Sequence, residues 1–189
     1  MIALIIVATI PVGVIGVLLK GFVDDHFQTP LVAGCALLLT AVFLLVGKRL
    51  QSVEQATEEL TFGGALAVGI FQAVAIVPGI SRSGSTIAAG LACGLKREAA
   101  ARFSFLIAIP AIGGAAVLEL KDLVSGEKTF SGEPGALFLG MIVSCVVGLL
   151  ALNWLIRMVA KDKLHWFAIY CVVVGCATIA WQVLAAGNR

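Results

Sequence analysis

Apolar residues run unbroken for long stretches of this chain, and the polar positions fall in short groups between them. Met1–Leu19, Leu31–Gly47, Phe103–Leu118, Ala136–Ile156 and Trp166–Ala186 are each apolar over a length that, as helix, crosses or nearly crosses a hydrocarbon layer of about 30 Å. Polar connections separate them at Lys20–Pro30, Lys48–Thr61, Lys96–Arg102, Glu119–Gly135 and Arg157–His165. Trp154, Trp166, Tyr170 and Trp181 lie near the span ends, where an aromatic belt would place them. Met1–Leu19 has no basic segment ahead of its apolar run and is long enough to span, so it reads as a mature helix rather than a cleaved signal. The pattern predicts an all-α polytopic membrane protein with about five transmembrane helices, a single integral membrane domain over residues 1–189.

The stretch Gly63–Leu95 departs from this pattern. It is apolar at both ends but interrupted by Pro78-Gly79-Ile80-Ser81-Arg82-Ser83-Gly84-Ser85. As helices its two arms reach about 24 and about 16 Å, too short for comfortable crossing. The pattern therefore predicts a re-entrant hairpin over 63–95 whose tip stops inside the membrane. Irregular backbone at that depth is tolerated only where it is buried in protein or lines a wet cavity, so the tip is where a site belongs. Cation counts agree with this topology. With a re-entrant hairpin, Lys48, Arg49, Lys96, Arg97, Arg102, Arg157, Lys161 and Lys163 share one side, against Lys20, Lys121, Lys128 and Arg189 on the other. That bias puts the base of the hairpin in the cytoplasm and the C-terminus outside; a single crossing by 63–95 would largely erase it.

Composition fixes the solvent. Hydrophobic residues make up 60% of the 189 positions and charged ones 13%, against about 25% charged in soluble domains. The mean hydropathy of +1.08 excludes a soluble globular or disordered chain. A net charge of +2, with cations singly or in pairs, excludes a nucleic-acid binder. Cys35, Cys93, Cys145, Cys171 and Cys176 all lie in apolar runs without C-x-x-C or histidine neighbours, and read as small core hydrophobes rather than disulfides or metal ligands.

Arg82 carries the chemical argument. An arginine at mid-membrane depth costs at least ~2.5 kcal/mol, so it needs an anionic partner or a wet cavity, and the hairpin offers no acidic residue. Around it stand Ser81, Ser83, Ser85 and Thr86, with a helical run expected from near Ile87 and Ser83 or Ser85 as its N-cap. Gly79 and Gly84 permit sharp turns and close ligand approach. A helix N-terminus, hydroxyls and a guanidinium fork together make a phosphate site. The alternative, an arginine snorkelling to an interface, needs an interface that the arm lengths put out of reach. Gln72 in the first arm either hydrogen-bonds across the tip or makes a plain helix–helix contact; its position alone leaves both open.

The run from Gly69 to Ile87, including Gln72 and Pro78-Gly79-Ile80-Ser81-Arg82-Ser83-Gly84-Ser85-Thr86, resembles the signature of the bacterial undecaprenyl-pyrophosphate phosphatases, the bacitracin-resistance family, whose second motif is P-G-x-S-R-S-x-x-T. Arg97–Pro110 and Phe167–Tyr170 are similar to that family as well, and the likeness covers essentially the whole chain. The resemblance implies removal of inorganic phosphate from a polyprenyl pyrophosphate in the bacterial plasma membrane, leaving the monophosphate carrier lipid of cell-wall synthesis. It implies Ser81, Arg82 and Thr86 as catalytic residues, with Arg82 stabilising transition-state charge and Ser81 a candidate nucleophile. Gly79, Ser83, Gly84 and Ser85 would bind phosphate, with Gln72 as polar support.

The family fold implied is two inverted halves, each a re-entrant hairpin followed by three spans. On that scheme residues 63–186 form a complete second half and residues 1–47 the last two spans of the first. The first hairpin, with its E-x-x-x-E-x-x-P-V-S-S-x-G-H motif, has no counterpart here. The chain is then expected to be an N-terminally incomplete copy, or else a degenerate homologue; the intact motif at 78–86 favours the first. Glu54 and Glu58 have the acid spacing but lie in a charged loop, His26 follows Asp24 and Asp25 in an outer loop, and His165 ends a basic loop just before Trp166. None of the four is assigned to the site, and no metal ligand is assigned either. The resemblance leaves room for a divalent cation, Mg2+ or Ca2+, held by the first motif's carboxylates, and for an oligomer. Two other functions compete: a flippase for an anionic lipid, built on broken helices, and a structural subunit, which leaves Arg82 unexplained.

Overall fold

The computed structural model describes residues 1–50, 57–126, 134–161 and 163–187. In chain order the helices are α1 (Ile2–His26), α2 (Pro30–Leu50), α3 (Phe62–Val74), α4 (Arg82–Ala92), α5 (Arg97–Val124), α6 (Pro134–Ala160) and α7 (Leu164–Gly187). Five of them, α1, α2, α5, α6 and α7, are long and apolar enough to cross a membrane. The short pair α3 and α4 forms the hairpin.

The hairpin returns to the side it entered. At its start the Thr61 side chain caps α3 by accepting the Gly64 amide at 3.1 Å. α3 ends at Val74, and residues 75–81 turn around Pro78 and Gly79, where φ is +95°. Pro78 disfavours helical backbone at Val77 and lacks the amide that a continuing helix would use. After α4, Lys96 donates its amide to Thr57 O at 2.8 Å while Thr57 donates to Gly94 O at 2.9 Å, an isolated parallel bridge tying the two ends of the hairpin together. The expected re-entrant geometry is therefore observed.

Small residues let these helices approach. Between helices in hydrocarbon there is little hydrophobic gain, so van der Waals packing of small faces holds them. Ala8, Ala36, Ala41, Ala65, Ala88, Ala89, Ala100, Ala101 and Ala168 are buried, whereas Leu18, Leu137, Val147, Leu150 and Leu184 face outward. α1 packs along α3, α2 along both α4 and α7, and α5 along α4. At the α2–α7 crossing a Cβ on Gly34 would come within 2.8 Å of the Ile179 side chain and 3.1 Å of Gly175 O.

Several element ends differ from the sequence expectation. α1 continues through Lys20 to His26, and α5 starts at Arg97 rather than Phe103 and runs to Val124. A helix leaving the hydrocarbon keeps its internal hydrogen bonds, so charge alone does not end it; Glu98 in the first turn of α5 also suits the helix dipole. His26 is accordingly the last residue of α1, stacked on Phe22 at 4.6 Å with Nδ1 donating to Phe22 O at 3.1 Å, and His165 lies in the first turn of α7. Of the cysteines only Cys171 belongs to the core; Cys35, Cys145 and Cys176 are exposed on helix surfaces, where an apolar solvent accepts them as readily as a core would, and Cys93 is exposed in the turn after α4. Trp154, Trp166, Tyr170 and Trp181 are all exposed, as belt residues should be.

Candidate active site

α5 serves as a ruler for the depth of the tip. Arg82 Nη1 donates to Ala108 O at 3.5 Å, and Ala108 stands about 16 Å along α5 from Arg97 and about 15 Å below Leu118. The guanidinium is thus near the middle of the span. It is half-buried, and this long bond to a carbonyl leaves most of its donors for a ligand.

Helix α4 begins at Arg82, five residues before the expected start near Ile87, and its N-cap is Ser81 rather than Ser83 or Ser85. Ser81 has extended backbone, φ −69° and ψ 112°, and its Oγ accepts the Gly84 amide at 3.2 Å. The Gly- and Ser-rich sequence looks like a turn, but its hydroxyls bond back onto the helix. Ser85 Oγ donates to Ser81 O at 2.8 Å, and Thr86 Oγ1 donates to Arg82 O at 2.8 Å. Ser104 Oγ on α5 is 2.6 Å from Thr86 Oγ1; with the threonine hydrogen on Arg82 O, Ser104 is the donor. The motif therefore divides. Gly79, Ser81, Arg82 and Ser83 are half-buried around the open end of α4, where first-turn amides lack helical partners. Gly84, Ser85 and Thr86 are buried, with both hydroxyls turned into the packing between helices.

Gln72 is 1% exposed, and among the described residues neither its Oε1 nor its Nε2 has a partner. It lies one turn along α3 from Val68, which packs with Ala89, Phe103 and Ile107, so it stands below the Arg82 level on the inner face of the hairpin. No bond across the tip forms. A buried amide without partners costs about 1–3 kcal/mol. Gln72→Met, of similar shape but without the amide, should unfold in detergent no earlier than wild type. Earlier unfolding by several degrees would mean that the amide is bonded outside the described residues.

Three residues of this site are not among the expected site residues: Ser104 and Ala108 on α5, which lie in the Arg97–Pro110 run that resembles the family, and Thr40 on α2, which lies in no such run. Thr40 is fully buried, and its Oγ1 accepts the Ser81 amide at 3.0 Å. In the sequence it is only a lone hydroxyl in an apolar run. The acidic residues lie elsewhere. Glu58 pairs with Lys96 at 3.0 Å and Glu98 with Arg102 at 3.8 Å, around a cleft of about 830 Å³ at the base of the hairpin that Met1 and Phe103 also line. Hydrogen bonding from Lys96, then its charge, holds the Glu58 carboxyl below its ordinary range. This pair's contribution to folding is present above that range and lost as pH falls through the lowered value; full exposure keeps it weak. Glu54 lies outside the described residues. The tip has hydroxyls, amides and one guanidinium but no carboxylate, and no cluster of three His, Cys, Asp or Glu side chains occurs among the described residues, so these residues do not themselves make a cation site.

The model of the family described as bacitracin resistance protein BacA matches residues 1–177. The chain belongs to the BacA family. Among curated relatives it is 46% identical over 180 residues to an undecaprenyl-diphosphatase of Rhodopirellula baltica, covering 94% of this chain and 69% of that one. It is 43% identical over 181 residues to the enzyme of that name from Methanosphaera stadtmanae, covering 96% and 64%. With the Desulforapulum autotrophicum undecaprenyl-diphosphatase the figures are 44% over 177 residues, 94% and 63%. The chain spans about two thirds of the length of these BacA-family relatives, and the matched portion includes the whole hairpin.

Proposed function

We propose that this chain carries the phosphate-handling part of an undecaprenyl-diphosphatase in the bacterial plasma membrane. The observation that carries the proposal is a half-buried arginine at mid-depth beside an open helix N-terminus. Arg82 would fork across two oxygens of the terminal phosphate, with the Arg82 and Ser83 amides and the α4 dipole facing the same anion. Charge growing on those oxygens as the bridging P–O bond breaks is then met by donors already in place. The products are undecaprenyl phosphate and inorganic phosphate, with water supplying the oxygen that replaces the broken bridging bond, by direct attack or by hydrolysis of a Ser81 phosphoester. Ser81 stands at the rim of this anion site with its hydroxyl hydrogen still available, as the candidate nucleophile. No base faces it among the described residues, and a divalent cation serving the site would likewise draw its ligands from outside them. Thr86 and Ser85 support the reaction from inside the helix, by holding the Arg82 and Ser81 carbonyls.

The test is phosphate release from undecaprenyl pyrophosphate by the purified chain in detergent, alone and joined to the part of a longer relative that it does not cover. Release in either form supports the reading. Lipid passage across a vesicle membrane without release would establish a flippase instead. Glu54 and Glu58 are expected to be bystanders. Glu54→Gln combined with Glu58→Gln should leave the rate within about twofold of wild type, since exposed ion pairs contribute little. A tenfold loss would bring them into the site.

A further inference from the structure

Besides its own turn and cap hydrogen bonds, the tip is held by α2. The Thr40 hydroxyl accepts the Ser81 amide at 3.0 Å and donates towards two carbonyls, Ala36 O at 3.0 Å and Gly79 O at 3.4 Å. A hydroxyl has one hydrogen, so these two acceptors share it. Its methyl faces the next turn: a Cβ on Gly84 would lie 3.4 Å from Thr40 Cγ2. One fully buried side chain thus bonds a carbonyl two residues before the cap and the amide of the cap, with its methyl towards the glycine whose amide the cap accepts.

We infer that Thr40 is a positioning residue for the phosphate site. The inference rests on the reading of the tip as that site. Anchoring the Ser81 amide fixes the backbone that carries Ser81 Oγ, and the Oγ–Gly84 cap fixes where the Arg82 and Ser83 amides converge. Thr40 touches no substrate. It acts through Ser81, so its loss should degrade alignment in the reacting complex more than it degrades binding.

Thr40→Val keeps the shape and removes the hydroxyl, whereas Thr40→Ser keeps the hydroxyl and removes a methyl. In whichever form of the chain releases phosphate, Thr40→Val is expected to lower kcat by about 10- to 100-fold, with KM changed less than about threefold, because small misplacements of reacting groups are costly. Thr40→Ser should recover kcat to within about threefold of wild type. Hydrogen exchange of the peptide spanning 79–84 should speed up in Thr40→Val and stay slow in Thr40→Ser. Wild-type kcat in Thr40→Val, equal losses in both variants, or unchanged exchange would each overturn the inference. If wild type releases no phosphate in either form, the reading of the site has failed, and the exchange measurement alone decides whether Thr40 holds the tip.

Discussion

Replacing Arg82 by alanine is expected to reduce phosphate release by about 10³-fold or more while making the protein no less stable. The first effect follows from the role. A guanidinium that neutralises a transferring phosphoryl group contributes about 10³–10⁵ in rate, and the described tip contains no second cation to take its place. The second follows from its setting. Arg82 has a long bond to Ala108 O and lies about 16 Å from the base of α5, where a charge is costly without its anion. Arg82→Lys should fall between the two, at about 10- to 100-fold, because an ammonium cannot fork across two oxygens. Initial rates and unfolding temperatures of both variants check this. An alanine variant within tenfold of wild type would remove Arg82 from the reaction; one that unfolds much earlier would make it a structural residue.

Gly79→Ala should disrupt the fold of the tip itself, and with it all activity. Gly79 has φ +95°, a conformation that costs an L-residue of order 1–3 kcal/mol. Its added Cβ would also strike the Ala33 carbonyl oxygen and come within 2.9 Å of the Ala36 side chain. A control separates the two contributions. Gly94 has φ +86° and nothing within 4 Å of where an added Cβ would lie, so Gly94→Ala meets the conformational cost alone. Thermal unfolding in detergent should rank wild type, then Gly94→Ala, then Gly79→Ala, with the last also losing phosphate release. Equal unfolding of the two variants would mean that α2 yields and that the tip is less tightly seated than the geometry requires.

The re-entrant hairpin is legible in the sequence because two quantities suffice: the length of each arm against the thickness of hydrocarbon, and a Pro-Gly break between them. Arg82 stands out for a similar reason, since one buried charge outweighs many weak preferences. The start of α4 is not legible. Ser81 to Thr86 has the composition of a turn, and only burial of the Ser85 and Thr86 hydroxyls against carbonyls one turn back makes it helix. Four of the five cysteines lie outside the core against expectation, because hydropathy does not distinguish a core from a surface facing lipid. Thr40 is visible as a residue but not as a contact, because its partner at Ser81 lies far along the chain.

The seating of Gly79 on α2 has a consequence for how this site can change over evolutionary time. Ala33 and Ala36 lie under the turn, so the room available to it is set by residues outside any run that reads as a motif. Ala33 meets the turn through its backbone and Ala36 through its side chain, so a larger residue at 36 would displace the turn even with Pro78 to Thr86 untouched. Relatives that keep the glycine should keep small residues on this face of α2, and exchanges at the two places should be inherited together. The hereditary unit of the site is therefore a pair of separated stretches, and a chimera whose α2 brings a large residue to the Ala36 position should inherit the complete motif without its function.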